Sequence, residues 1–331
     1  MRISRIAYVL ALAAIVAGLP GAAPLHVRAA GGPAYNLMMN WFPEPEEGGF
    51  YEAQRLGLYQ KAGISSTIEQ FGFSVYPEQY VLSGRATFGM ANADQILEWN
   101  AAGAKLVAVM TSFQTNPIGI LWHAEDKTIH SLADLSNHTL IYTFGSPFEQ
   151  YLVAKYHYTD FHTKNNDYTS RGFAVDPTAV HQCYVTSEPY LYSVQGLKVK
   201  YALVASTGFN PYGAVIFTTQ DFANSHPAVV RAYVKASVAG WTSYLKDSAP
   251  TNAYLRTAPG AKNYPETPAA QTFSYTQMKK LELIDGGDAA THGIGWMGMQ
   301  RWTTLQQQMV GVGFKVGGVD VGAAFTDRFL L

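Results

Sequence analysis

Residues 40–51, NWFPEPEEGGFY, gather the groups most able to do chemistry: aromatics including Trp41, Phe42 and Tyr51, the carboxylates Glu44, Glu46 and Glu47, and no basic side chain. An oxyanion site calls for Arg or Lys, or for bare helix N-termini with little negative charge nearby. This stretch suits a neutral or cationic ring, held by stacking and by carboxylate acceptors. A solvated Pro-Glu-Pro-Glu-Glu turn is the competing reading for Glu44 and Glu46, and Glu47 is the better placed for function. Trp41 closes a predicted strand, where crevices open in parallel sheets, although core packing accounts for Trp41 and Tyr51 almost equally well.

Asn92 and Asp94 follow the strand-like run TFGMA in the same topological place, with helix capping as the alternative. In YVTSEPYLY, Glu188 follows a predicted strand and precedes Pro189. There it serves either as acceptor for a ring amino group or as a helix-start acid. Tyr212, in GFNPYGAV, is an aromatic able to close over a ligand beside a return crossing between lobes. Ser146 reads as a helix N-cap, with Pro147 at the first helical position and Glu149 completing a capping box. For catalysis the sequence offers little. It has no nucleophile elbow, no phosphate loop and no His-Glu-x-x-His pattern, and its nine histidines are scattered. No catalytic residue, metal site or cofactor is expected.

These residues need a scaffold. Residues 35–40, 64–70 and 105–112 and the segment ATFGMAN read as strands, separated by helical stretches such as FYEAQRLGLYQKAG, YPEQYVLSG and DQILEWNAAG. That alternation predicts an α/β architecture around a parallel sheet. The rhythm restarts at SLADLSNHTLIYT and turns helical after Asp221. Two apolar runs, residues 118–123 and 214–218, read as crossover strands. They divide the chain into lobe I (35–119 plus 215–331) and lobe II (120–214), with an interlobe cleft at the strand ends.

The first residues carry Arg2 and Arg5 ahead of an apolar run to about Gly18, then Val27-Arg28-Ala29, the pattern of a cleavable export signal over residues 1–30. Removing Arg2, Arg5 and Arg28 leaves 20 of the 23 basic residues against 24 acidic ones, a net charge of −4 that argues against nucleic acid or anionic membrane as partner. Cys183 is the sole cysteine, so the chain has no internal disulfide to rely on and must be held by its core.

In order and spacing, NWFPEPEEGGFYEAQRLGLYQKAGI, ATFGMANADQIL, GSPFEQYLVAKY, YVTSEPYLYSVQG and GFNPYGAVIFTTQDF make the chain resemble a known family. It is similar to the thiamine pyrimidine-precursor-binding branch of the sulfonate-, nitrate- and taurine-type periplasmic binding proteins of ABC transporters. The resemblance implies a two-lobed type II binding-protein fold that delivers a small molecule to an ABC permease. In that branch the first loop reads roughly Trp-x-Pro-Asn-x-x-His-x-Gly-x-Tyr. Trp41, Pro43, Gly49 and Tyr51 match, whereas Glu44 and Glu47 stand where Asn and His are usual. Gly145, Ser146, the Glu188 region and Tyr212 match cleft-facing positions of the family. The broad family also includes a fungal-type pyrimidine synthase whose cysteine-rich iron-binding stretch has no counterpart here. The expectation is therefore a monomeric, periplasmic or extracellular solute-binding protein and not an enzyme. Its ligand contacts are expected at Trp41, Glu47, Tyr51, Asn92, Gly145, Ser146, Glu188 and Tyr212. An aminopyrimidine is the first candidate ligand, a riboflavin-like ring the second and a small oxyanion the third. An exported enzyme or sensor on the same fold is the alternative.

Overall fold

A computed structural model describes residues 34–70, 72 and 76–331. The expected signal segment lies outside the described residues. Strand β1 (Ala34–Met38) leads through a 3-10 turn at Pro45–Glu47 into helix α1 (Gly48–Arg55). The segment that reads as one helix in sequence breaks at Gly57, whose φ of 64° suits glycine, and restarts as α2 (Leu58–Lys61). There follow β2 (Ser65–Glu69), α3 (Pro77–Leu82), β3 (Phe88–Ala91), α4 (Ala93–Ala101) and β4 (Leu106–Phe113). Next come β5 (Ile118–His123), β6 (Thr139–Tyr142), α5 (Pro147–Tyr156), β7 (His162–Asn165), α6 (Arg171–Val175), β8 (Ala179–Tyr184), α7 (Glu188–Ser193) and β9 (Val199–Leu203). The chain returns as β10 (Gly213–Thr219), followed by α8 (Gln220–Ser225), α9 (Pro227–Tyr244), α10 (Ala249–Leu255), α11 (Pro268–Lys280), α12 (Ala289–His292), α13 (Met299–Gly311) and α14 (Val321–Ala324).

Two five-stranded sheets result, ordered β2-β1-β3-β10-β4 and β7-β6-β8-β5-β9. The plan is the same in both: three strands run parallel, and a fourth runs antiparallel between them and the far edge. A purely parallel sheet is therefore corrected to a mixed one. The physical reason lies in connectivity. Strands β5 and β10 each enter their sheet from the other one, across short links at residues 114–117 and 204–212, instead of through a helical crossover.

Burial follows from pattern. Every residue of β4 is buried, the signature of a strand covered on both faces. Helix α9 packs on α1 through glycines: a Cβ at Gly240 would sit 2.2 Å from the Gly49 carbonyl oxygen, and one at Gly49 would sit 2.1 Å from the Trp241 ring. That close approach anchors α1, and with it the Pro45–Glu47 turn that precedes it. Helix α11 touches the same turn and also α7, so the turn is braced from both sheets.

Candidate ligand cleft

A cleft opens where the carboxyl ends of the parallel strands of the two sheets meet. Its outer chamber is about 540 Å³ and its inner chamber about 180 Å³. Asn40, Trp41, Thr143, Tyr168, Gln182 and Tyr184 line both, so the chambers are continuous. Among the described residues, no Lys, Arg or His lines either chamber.

The inner chamber has aromatic walls. Trp41 lies 5.8 Å from Tyr168, contributed by the β7–α6 connection, and 5.8 Å from Tyr264, contributed by the α10–α11 connection. Phe42 stacks on Tyr264 at 5.8 Å with an interplanar angle of 5°. Carboxylates complete the wall. Glu44 and Glu47 line the chamber at 4% exposure each, and Glu46 beside them is 1% exposed. The reading of this turn as solvated is thereby overturned: Pro45 starts a helical turn, α11 packs against it, and α9 holds the α1 that continues from it.

Burial raises the carboxyls of Glu44 and Glu47 well above the usual carboxylate range, and their acidic neighbours raise them further. Burial also pushes Glu266 up to about 8, helped by Glu46. The Oε2 atoms of Glu44 and Glu266 and Oε1 of Glu46 are buried without a hydrogen-bond partner among the described residues. Glu47 has a structural duty as well, since its Oε2 accepts from the Glu44 backbone N–H at 3.3 Å. Glu188 enters from the opposite side at the start of α7, where its Oε2 accepts from the Tyr184 N–H at 2.7 Å. Desolvation pushes Glu188 up to about 7.

Asn92, Gly145 and Ser146 line the outer chamber. Asn92 precedes α4, and its Oδ1 accepts from the Ala214 N–H of β10 at 3.4 Å. Gly145 takes φ 91° and carries the chain from β6 into α5. The capping box expected there does not form: Ser146 donates its hydroxyl to the Thr143 carbonyl at 2.9 Å, and Glu149 accepts from Tyr142.

Two expected contacts lie elsewhere. Tyr51 is 2% exposed and packs in the first sheet's core against Tyr254, because its place on α1 turns it toward α10. Tyr212 is fully buried, but its side chain points away from the cleft. Its hydroxyl donates to Asp288 and accepts from the Gly298 N–H at 2.8 Å, with the Arg301 guanidinium 3.9 Å from the ring centroid. It ties the second link between the sheets to the C-terminal helices.

Sequence reasoning missed Tyr168, Gln182, Tyr184 and Tyr264. Gln182 and Tyr184 alternate on β8 and so share one sheet face. Tyr264 and Glu266 sit in KNYPETP, whose proline, glutamate and aromatic content repeats that of the first loop and was the available signal.

The family model described as NMT1/THI5 like matches residues 44–251, a stretch running from the acidic turn through the second sheet and into α10. The chain belongs to this family. It is 25% identical over 311 residues to the riboflavin-binding protein RibY of Chloroflexus aurantiacus, covering 89% of this chain and 85% of that protein. Among solved structures, it is similar to the alkanesulfonate-binding protein SsuA of Xanthomonas axonopodis pv. citri bound to MOPS, with a TM-score of 0.66 at 15% identity over 90% of this chain and 99% of that one. It is also similar to the periplasmic nitrate-binding protein NrtA of Synechocystis, with a TM-score of 0.61 at 11% identity over 90% and 87% of the two chains. These likenesses show the fold: the family member described here is a two-lobed periplasmic-binding-protein fold. Among the described residues, no helix is long and apolar enough to cross a membrane.

Proposed function

We propose that this chain is an exported solute-binding protein that captures a small, flat nitrogen heterocycle between its two sheets and presents it to an ABC-type importer. One observation carries the reading: a cleft walled by Trp41, Tyr168 and Tyr264, carrying Glu44, Glu47 and Glu188, and lined, among the described residues, by no basic side chain. Aromatic faces suit a planar ring, and the carboxyl groups accept from ring N–H or amino groups. A sulfonate or nitrate entering the same space would meet like charge and no guanidinium. The likeness to structures named for such anions is a likeness of fold, and the described lining of this cleft lacks the basic groups expected for those ligands.

An aminopyrimidine of the thiamine-precursor type is the first reading, supported by the aromatic and carboxyl walls of the inner chamber. A flavin-like ring is the second reading, favoured by the relative named for riboflavin and by the larger outer chamber. Trp41, Glu47 and Glu188 are assigned to the ring. Asn92, Gly145 and Ser146 are assigned to whatever the ring carries.

Thermal-shift measurements with 4-amino-5-hydroxymethyl-2-methylpyrimidine, riboflavin, an alkanesulfonate and nitrate test the proposal. A ligand at a hundred times its dissociation constant stabilises by about 2.7 kcal/mol, a shift of a few degrees. Stabilisation by a ring compound is the expected result. Stabilisation by the anions alone would overturn it.

A further inference from the structure

The outer chamber holds a second group of acids that ring recognition does not use. Glu78, in the first turn of α3, and Asp94 and Glu98 on α4 all line it. Asp94 and Glu98 are four residues apart, hence on one face of α4, and a like-charged pair at that spacing costs a helix stability. A helix-start role accounts for Asp94 but not for Glu98, which lies in the C-terminal half of α4, where the helix dipole disfavours negative charge.

Glu78 is 2% exposed and Asp94 8% exposed, and Asp94 Oδ1 is buried without a hydrogen-bond partner among the described residues. Burial raises all three carboxyls. Asp94 stands at about 6, and Glu78 and Glu98 stand at about 7, each of the latter also raised by Asp94. Two aromatics rim the same chamber, Tyr76 at 57% exposure beside α3 and Phe144 at 54% exposure from the opposite sheet. Uncompensated acids with aromatic faces beside them are the chemistry that receives an organic cation.

We propose that Glu78, Asp94 and Glu98 form a second subsite for a protonated amine, so that the natural ligand carries an ammonium or amidinium group several bonds away from the ring held in the inner chamber. The inference rests on reading the cleft as the ligand site. It goes further in making the ligand bifunctional: a ring at Trp41 and a cation at α4.

Two matched probes test it by calorimetric titration, a 4-aminopyrimidine bearing a 3-aminopropyl chain and its 3-hydroxypropyl counterpart, together with ring-free 1,4-diaminobutane. The wild-type protein should prefer the aminopropyl compound by about tenfold or more, the scale of one charge-assisted hydrogen bond. The preference should shrink with added salt and fall to about one in Asp94→Asn/Glu98→Gln. Removing a like-charged helical pair favours folding, and Glu78→Gln on the other helix should reduce the preference independently. Equal affinity for the two pyrimidines in wild type, a preference that survives both variants, or binding of none of the three probes would overturn the subsite. The first two results would leave ring capture standing. Binding of diaminobutane alone, abolished in the double variant, would keep the subsite and remove the ring reading.

Discussion

At Glu44 two costs meet. Its carboxyl is 4% exposed with an oxygen unpartnered, and Glu46, Glu47 and Glu266 push it in the same direction. A protein tolerates such a group either as a neutral acid or in readiness for a donor. Glu44→Gln should therefore act oppositely on stability and on binding. At pH 8 the neutral amide removes like-charge repulsion and should stabilise the unliganded protein by roughly 1–3 kcal/mol, the scale of an unsatisfied buried polar group. Affinity for an amino-heterocycle should fall by about one to two decades, because the amide offers a donor where the ligand also donates. Glu188→Gln should weaken binding to a similar degree, since both carboxyls line the inner chamber. Chemical denaturation and titration calorimetry of the two variants decide the matter. A loss of both stability and affinity at Glu44 would mark it as structural.

The carboxylates themselves were visible in sequence, but their burial was not. A Pro-Glu-Pro-Glu-Glu string has the composition of a wet turn, and only the packing of α11 against it and of α9 against the α1 that follows it makes it dry. The same limit explains Tyr51 and Tyr212. Motif spacing places a residue near a cleft, whereas the direction of its side chain depends on which neighbour offers the better packing.

The glycine contact between α1 and α9 belongs to the scale of elements. An alanine at 240 would place its Cβ 2.2 Å from a backbone carbonyl oxygen and 2.7 Å from Ala53 Cβ, and neither can swing aside as a long side chain would. The helices must separate. Gly240→Ala should thus cost about 1–3 kcal/mol by overpacking, against a helix-propensity gain of only about 1 kcal/mol. The urea midpoint should drop by about 1 M or less, since for a chain of this length the slope lies near the upper end of the range, about 3 kcal/mol per M. Because α1 continues directly from the Pro45–Glu47 turn, ligand affinity should fall as well. An unchanged midpoint would mean that α1 and α9 separate to admit the methyl group without cost.

Elements of this kind were largely readable, since apolar periodicity marks strands and helices locally: β2, β3, α5 and α9 lie within stretches that read as such, and β1 and β4 overrun theirs by one residue. Their neighbours were less so. Nothing in the run AVIFT announces that β10 will lie antiparallel between β3 and β4, because that follows from where the chain re-enters the first sheet and not from its own pattern.

For the molecule as a whole, the acids in and around the cleft set the pH dependence of stability. Burial is the leading cause in each case, holding Glu78, Glu98 and Glu188 at about 7, Glu266 at about 8 and Asp94 at about 6. An acid raised in the folded state binds its proton more tightly there than in the unfolded chain. Its contribution is complete below the ordinary carboxylate value and is lost as pH rises through the folded value. These groups therefore erode stability between about pH 5 and pH 8.

The opposite class acts lower on the scale. Burial would raise Asp126, but hydrogen bonds from Thr128 and His138 outweigh it and hold the carboxyl down to about 2. Its contribution is present above the ordinary value and is lost as pH falls toward 2. Between the two windows the unliganded protein should be most stable near pH 5, toward the acid end of the common range. Each proton that the folded state holds in excess changes stability by roughly 1.4 kcal/mol per pH unit, so several such groups produce a decline in melting temperature easily read by calorimetry. Glu266→Gln should flatten the alkaline side of that profile. A ligand that brings a cation or N–H donors to these acids should lift stability most at pH 8, where the carboxylates are charged and otherwise repel one another. A melting temperature that is level from pH 5 to pH 8, or one that rises, would mean that the cleft acids are compensated in solution.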